Sequence, residues 1–171
     1  QPRILNDTHP YVVYPGIPQG RDFGEEGRGG CMLVELDPYK GSNIRSIPTA
    51  SVVYKRVDIF IDEDSEDIPE TLEDLGDRIC QYGDKLIQGT MEEGDFPIDG
   101  YVVDWIIRGR GNIHERIKES EQESLELLLK DLRSRFEGNT PFLWTDSITF
   151  RTQPAVDYDK LMKNSPVYRE L

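Results

Sequence analysis

A chain of 171 residues, 36% hydrophobic and 31% charged, has room for one ordinary domain or for a small domain with part of another. No apolar run approaches the roughly 18 residues of a membrane-spanning helix, and Gln1 to Pro10 lacks the apolar stretch of a signal peptide. The net charge of −13 opposes general polyanion binding, but it is unevenly spread: residues 62–99 hold 14 acidic against 2 basic side chains. Residues 1–61 (7 against 7) and 100–171 (12 against 11) are near neutral and able to present a local basic patch.

Taken in chain order, the apolar run Tyr11, Val12, Val13, Tyr14 stops at Pro15-Gly16. A loop rich in Gly, Pro and charge follows, and a second run begins at Cys31 after Gly29-Gly30, which predicts strand, long loop, strand. A strand over Gly30 to Asp37 leads into a turn-rich stretch around Pro38, Gly41, Ser42 and Pro48. From Ala50 to Ile61 the alternation resumes, with Val53, Lys55, Val57, Ile59 and Ile61 on one face and Tyr54, Arg56 and Asp58 on the other. A few strands without a partner helix cannot close a core, so residues 1–61 read as the tail of a larger β-structure.

The acidic run Asp62 to Asp67 ends that strand and opens a helix, with Asp67, Pro69 and Glu70 suited to a first turn. Leu72, Leu75, Ile79, Tyr82 and Leu86 form its apolar stripe, and Gly89 is a plausible stop. Gly76 and Gly83 work against it, each costing about 1 kcal/mol relative to Ala. After a polar loop over residues 90–99, Tyr101 to Ile107 is a buried strand. Ser120 and Glu123 make a capping box for a second helix, with Leu125, Leu128, Leu129, Leu132 and Phe136 inward and Gly138-Asn139 at its end. A strand from Pro141 to Phe150 completes β-α-β-α-β from Ser51 onward, with Trp105 and Trp144 both expected in the core. Thr152, Gln153 and Pro154 read as linker, followed by a short helix from Asp157 to about Lys163.

Catalytic chemistry is thinly represented. Asp62, Asp64, Glu66 and Glu73 fall at positions 1, 3, 5 and 12 of a calcium-loop frame, but Asp67 stands where that turn needs Gly. A solvated acidic helix cap accounts for them as well. His9 and His114 belong to no metal-ligand spacing, and no G-x-S-x-G is present. Cys31 and Cys80 lack CxxC spacing and read as reduced thiols in a cytoplasmic protein. Arg108, Arg110, Arg116 and Lys118 cluster after the middle strand among glycines that let backbone approach a ligand, which makes them candidate DNA-phosphate contacts. The alternative for them is a charged loop pairing with carboxylates such as Asp104 and Glu115.

The order Pro2-Arg3-Ile4-Leu5, Val13-Tyr14-Pro15-Gly16, Pro18-Gln19-Gly20-Arg21 and Gly30-Cys31-Met32-Leu33-Val34-Glu35 resembles the SbcD/YhaO-like DNA repair exonucleases of the calcineurin-like metallophosphoesterase superfamily. In that family the segment follows a metal-binding Gly-His-x-His sequence, which is not present here, so the matching register implies a fragment without the catalytic half. The resemblance implies an α+β fold. Residues 1–61 would be the terminal strands of the phosphoesterase β-sandwich, residues 62–150 a small β-α-β-α-β capping domain that shapes DNA access, and residues 151–171 a linker and short helix toward an ATPase partner.

It further implies that this chain holds no catalytic or metal-binding residue and no cofactor, the Mn²⁺ pair of a two-metal site belonging to the missing part. Arg21 would lie beside the cleft as a further DNA-binding candidate, with a salt bridge to Asp22 or Glu25 as its alternative. Leu161, Val167 and Tyr168 would lead toward a coiled-coil, SbcC-like ATPase. The expected partners are that ATPase and DNA, with no membrane, and an exposed sheet edge carries a risk of homodimerisation. Two other readings stay open: a free-standing interaction module, and a small independent hydrolase.

Overall fold

A computed structural model of the chain describes residues 2–39, 41–62, 68–92 and 96–156. The elements are β1 (Arg3–Asn6), β2 (Val12–Tyr14), β3 (Gly30–Asp37), β4 (Gly41–Pro48), β5 (Val52–Phe60), α1 (Leu72–Glu92), β6 (Gly100–Arg110), α2 (Ile113–Glu119), α3 (Glu121–Arg135) and β7 (Phe142–Gln153). They form a mixed α/β structure in which β1–β2 and β3–β4 are antiparallel hairpins and β5-β6-β7 is a parallel sheet.

Parallel neighbours cannot be joined by a tight turn, so each connection crosses over through helix. Both crossovers step the same way along the sheet, and the right-handed rule then places α1 and α3 on one face. The core lies between them: Val53, Ile59, Val103, Trp105, Ile107, Leu143 and Ile148 from the strands meet Leu75, Ile79, Leu128, Leu132 and Phe136 from the helices. Trp105 is wholly buried, and its indole N–H donates to the equally buried Thr145 hydroxyl at 3.1 Å, so neither polar group is stranded. Arg78 of α1, also buried, donates to the Ile61 carbonyl at 3.1 Å and fixes the end of β5. Arg135 of α3 bonds Asp77 of α1 and, at 2.8 Å, Asp131 of its own helix.

The apolar stripe of α1 is as its spacing predicts, and its glycines have a reason. A Cβ at Gly83 would collide with Cζ of Phe136, and one at Gly76 would touch Asp131 and Leu128, so α1 approaches α3 through side-chain-free positions. The helix starts at Leu72, with Thr71 and Asp74 forming a reciprocal cap: Thr71 Oγ1 accepts from the Asp74 amide at 3.1 Å while Asp74 Oδ2 accepts from the Thr71 amide and hydroxyl. It continues past Gly89 to Glu92. Asp67 lies outside the described residues.

Several expectations are corrected. The stretch from Gly41 to Pro48 is a strand, paired with β3 along its full length, because only Asp37 to Gly41 is needed to turn the chain. Ser120 makes no side-chain cap; it is the junction between α3 and the unforeseen α2, which Ile113, His114 and Ile117 anchor by burial. β7 runs on through Thr152 and Gln153, paired with Gly109 and Arg110, where a linker was expected. Trp144 is 47% exposed rather than core, since it alternates with buried Leu143 and Thr145. β5, by contrast, pairs with β6 as the first strand of the β-α-β-α-β order expected from Ser51, so Val52–Phe60 belongs to the parallel sheet. The helix expected over residues 157–163 lies outside the described residues.

Among the described residues no side chain before Val53 enters the hydrophobic cluster. Ile4, Leu5, Tyr14, Leu36 and Tyr39 of the two hairpins are instead exposed.

Two consequences are measurable. Gly83→Val drives a branched side chain into Phe136 and lowers unfolding free energy by about 2 kcal/mol in chemical denaturation. Hydrogen bonds from Thr71, side chain first and backbone second, hold the Asp74 carboxyl below its ordinary 3.8. A depressed folded pKa stabilises fully above the ordinary value and is lost as pH falls through the folded one. Thr71→Ala returns Asp74 toward the ordinary carboxylate range in an NMR titration and moves the onset of acid destabilisation to higher pH.

Candidate functional site

Ligands of open parallel sheets gather at the carboxyl ends of the strands, in the crevice where strand order reverses. The described strands run in sequence order with no reversal, so no such crevice opens here. The C-terminal end of β6 nevertheless carries the basic residues singled out by sequence.

Arg108 points to the sheet face opposite the helices, where its Nε bonds Asp58 of β5. Gly109 follows at φ +109°, and a Cβ there would collide with the Asp62 carboxylate. That carboxylate accepts the backbone N–H of exposed Arg110 at 2.9 Å. Asp62, first residue of the acidic run, is thus a backbone acceptor that ties the ends of β5 and β6 together; Asp64 and Glu66 lie outside the described residues. Arg116 and Lys118 are exposed on α2, and Arg116 is near enough to α1 to contribute to lowering the Asp74 pKa, after the hydrogen bonds from Thr71 and Glu70. The structure therefore separates the four residues: Arg108 is on the helix-free face, while Arg116 is turned toward the helical layer. With the described residues, Arg110, Arg116 and Lys118 form no ion pair.

Arg21 lies in the loop over residues 15–29, its side chain 83% exposed and 3.6 Å from Glu25. This loop is anchored on the parallel sheet in two ways. The Gln19 side chain donates to the Val52 carbonyl at 2.7 Å and accepts from the Ser51 and Val52 amides at 3.0 and 3.3 Å, covering the outer edge of β5 as a neighbouring strand would. The Gly27 amide continues the cover by donating to Tyr54 O at 3.2 Å. On the helix-free face, Arg56 donates to Phe23 O at 3.1 Å and to Glu26 at 3.0 Å, with its guanidinium 5.5 Å from the Phe23 ring. Phe23 meets Tyr54 edge to face at 5.4 Å. Arg56 also reaches Asp104 at 3.5 Å, and Asp104 accepts from Ser147 at 2.7 Å, so one polar chain runs from the loop across all three strands.

A groove of about 750 Å³ lies between α3 and the start of β7, lined by Leu129, Lys130, Arg133, Phe136, Phe142 and Trp144. A bulge at Asp146 interrupts the β6–β7 register. Arg133 donates to the carbonyls of Thr145 and Asp146 at 2.9 and 3.1 Å while its guanidinium stacks 4.5 Å from the Trp144 ring centroid.

His114 has a structural partner: its Nδ1 is 2.9 Å from Thr152 Oγ1, joining α2 to β7. Cys31 and Cys80 are free thiols, and burial pushes the Cys80 thiol up against the opposing effect of Arg135. Among the described residues no group of three or more His, Cys, Asp or Glu side chains is arranged to hold a metal, and no helix is long and apolar enough to cross a membrane. Leu161, Val167 and Tyr168 lie outside the described residues. No protein-family model, no curated protein and no solved structure matches the chain.

Gln19→Ala removes the cover over the β5 edge and leaves the Ser51 and Val52 amides without their acceptor. Hydrogen exchange at both amides should accelerate roughly tenfold, the equivalent of one hydrogen bond, while the amides of β6 keep their protection.

Proposed function

We propose that this chain is the non-catalytic part of an SbcD/YhaO-like, metal-dependent DNA exonuclease subunit. The observation that carries the reading is the division at Val53 between a closed α/β layer and two hairpins with Ile4, Leu5, Tyr14, Leu36 and Tyr39 left in solvent. Hairpins of this kind require further β-structure over their apolar side chains, as the last strands of a sandwich do. Residues 2–49 fill that role, and the parallel sheet with its helices is the capping layer that governs DNA access. Arg56 and Gln19 couple the two, holding the loop with Arg21 against the cap.

In this reading Arg108, Arg110, Arg116, Lys118 and Arg21 are the residues offered to DNA phosphates. The stretch beyond β7, with Leu161, Val167 and Tyr168, leads toward an SbcC-like ATPase. The Mn²⁺ pair draws its ligands from outside the chain, and no hydrolytic step is derived from the residues described. A free-standing interaction module would also present exposed apolar hairpins, so the deciding experiment separates the two. The coding sequence preceding Gln1 should specify Asp-x-His and Gly-His-x-His patterns, and the protein that includes them should degrade DNA with Mn²⁺ while residues 1–171 alone do not. An upstream sequence without those patterns, or Mn²⁺-dependent cleavage by the purified chain, overturns the proposal.

A further inference from the structure

All-parallel sheets are as a rule covered on both faces. Here the helices cover one, and among the described residues the loop over 15–29 covers the other only around Tyr54 and Arg56, toward the amino ends of the strands. Ile106 closes the middle of that face by its burial. Among the described residues no segment crosses the carboxyl end of that face, and its last row is unusual. Phe60 of β5 is in register with Arg108 of β6, and Arg108 with Arg151 of β7. Ile59, Ile61 and Ile107 are wholly buried and Phe150 packs against the core, so the alternating residues of the row face away from the helices. Phe60 is 43% exposed and Arg151 is exposed.

Like charges directly opposite on neighbouring strands repel, and nothing in the fold of the sheet requires them there. Among the described residues Asp58 bonds Arg108 through Nε alone, leaving the terminal guanidinium nitrogens of Arg108 as donors. Arg151 has no ion pair with the described residues. Strands about 4.8 Å apart place both guanidinium groups within reach of one anion, with an exposed aromatic ring on the next strand. Two guanidinium groups beside a ring complement a phosphate and the base attached to it, and the ring can stack only on a base freed from a duplex.

We infer that the row Phe60–Arg108–Arg151 binds single-stranded nucleic acid, the two arginines sharing a backbone phosphate and Phe60 stacking an unpaired base. The choice of DNA as the polymer rests on the proposed function; the residues rest on the register. Neither Phe60 nor Arg151 stands out in the sequence as a nucleic-acid contact.

The test is fluorescence anisotropy of labelled oligo(dT) titrated with the 171-residue chain across a salt series. The chain binds oligo(dT) more tightly than a duplex of equal length. Arg151→Ala weakens binding about tenfold and lowers the salt slope by about one, Arg151→Lys keeps the slope, and Phe60→Ala weakens binding about tenfold with the slope unchanged. Both side chains are exposed; should Arg151→Ala not fold, Arg151→Gln keeps the stem and reports the same loss. The inference is overturned by no binding at low salt, by an Arg151 variant with unaltered affinity and slope, or by Phe60→Ala without effect. Displacement by polyglutamate as effective as by unlabelled oligo(dT) also overturns it and assigns the face to an acidic protein surface. Because the readout is binding and not cleavage, its failure leaves the upstream-motif test untouched, and failure of that test leaves these residues standing.

Discussion

The central strand β6 is paired on both sides, and Val103, Trp105 and Ile107 are sealed beneath α1 and α3. Because its neighbours are parallel to it, the chain must cross the sheet twice through helix, and the direction of those crossings decides which face is dry. What the sheet itself leaves uncovered by helix is the opposite face, the strand ends and the two outer edges. The Trp105–Thr145 bond shows how tightly the dry side is specified, since a buried indole and hydroxyl must find each other or lose their hydration without return.

The N-terminal quarter obeys different physics. Its hairpins satisfy backbone hydrogen bonds but bury little apolar surface, so their order depends on the contacts they borrow from the sheet. Gln19 and Arg56 supply those contacts, one along the edge of β5 and one over its face. A loop rich in Gly and Pro is thereby held by partners thirty or more residues away in sequence.

That separation explains what the sequence could and could not disclose. The stripe of α1 and the alternation of β5 are local, so periodicity finds them. The β-α-β-α-β order follows. The short α2 escaped because Arg108 to Lys118 is dominated by charge, although Ile113 and Ile117 stand one turn apart and are both buried. β4 was hidden by Gly41 and Pro48, which sit at its ends and not within it. Trp144 was read by residue type when alternation with Leu143 and Thr145 already turned it outward. Of the basic candidates, the sequence located Arg108 correctly at a strand end, but its Asp58 partner lies fifty positions earlier and no local pattern links them. Strand register, which sequence alone did not supply, is what sets Arg151 beside it.

The two margins of the parallel sheet are closed by different devices. On one side an amide side chain impersonates a neighbouring strand; on the other, Arg133 occupies the carbonyls that the irregularity at Asp146 turns outward. Extension of the sheet by another polypeptide is therefore obstructed over Ser51 to Tyr54 at the start of β5 and at the middle of β7.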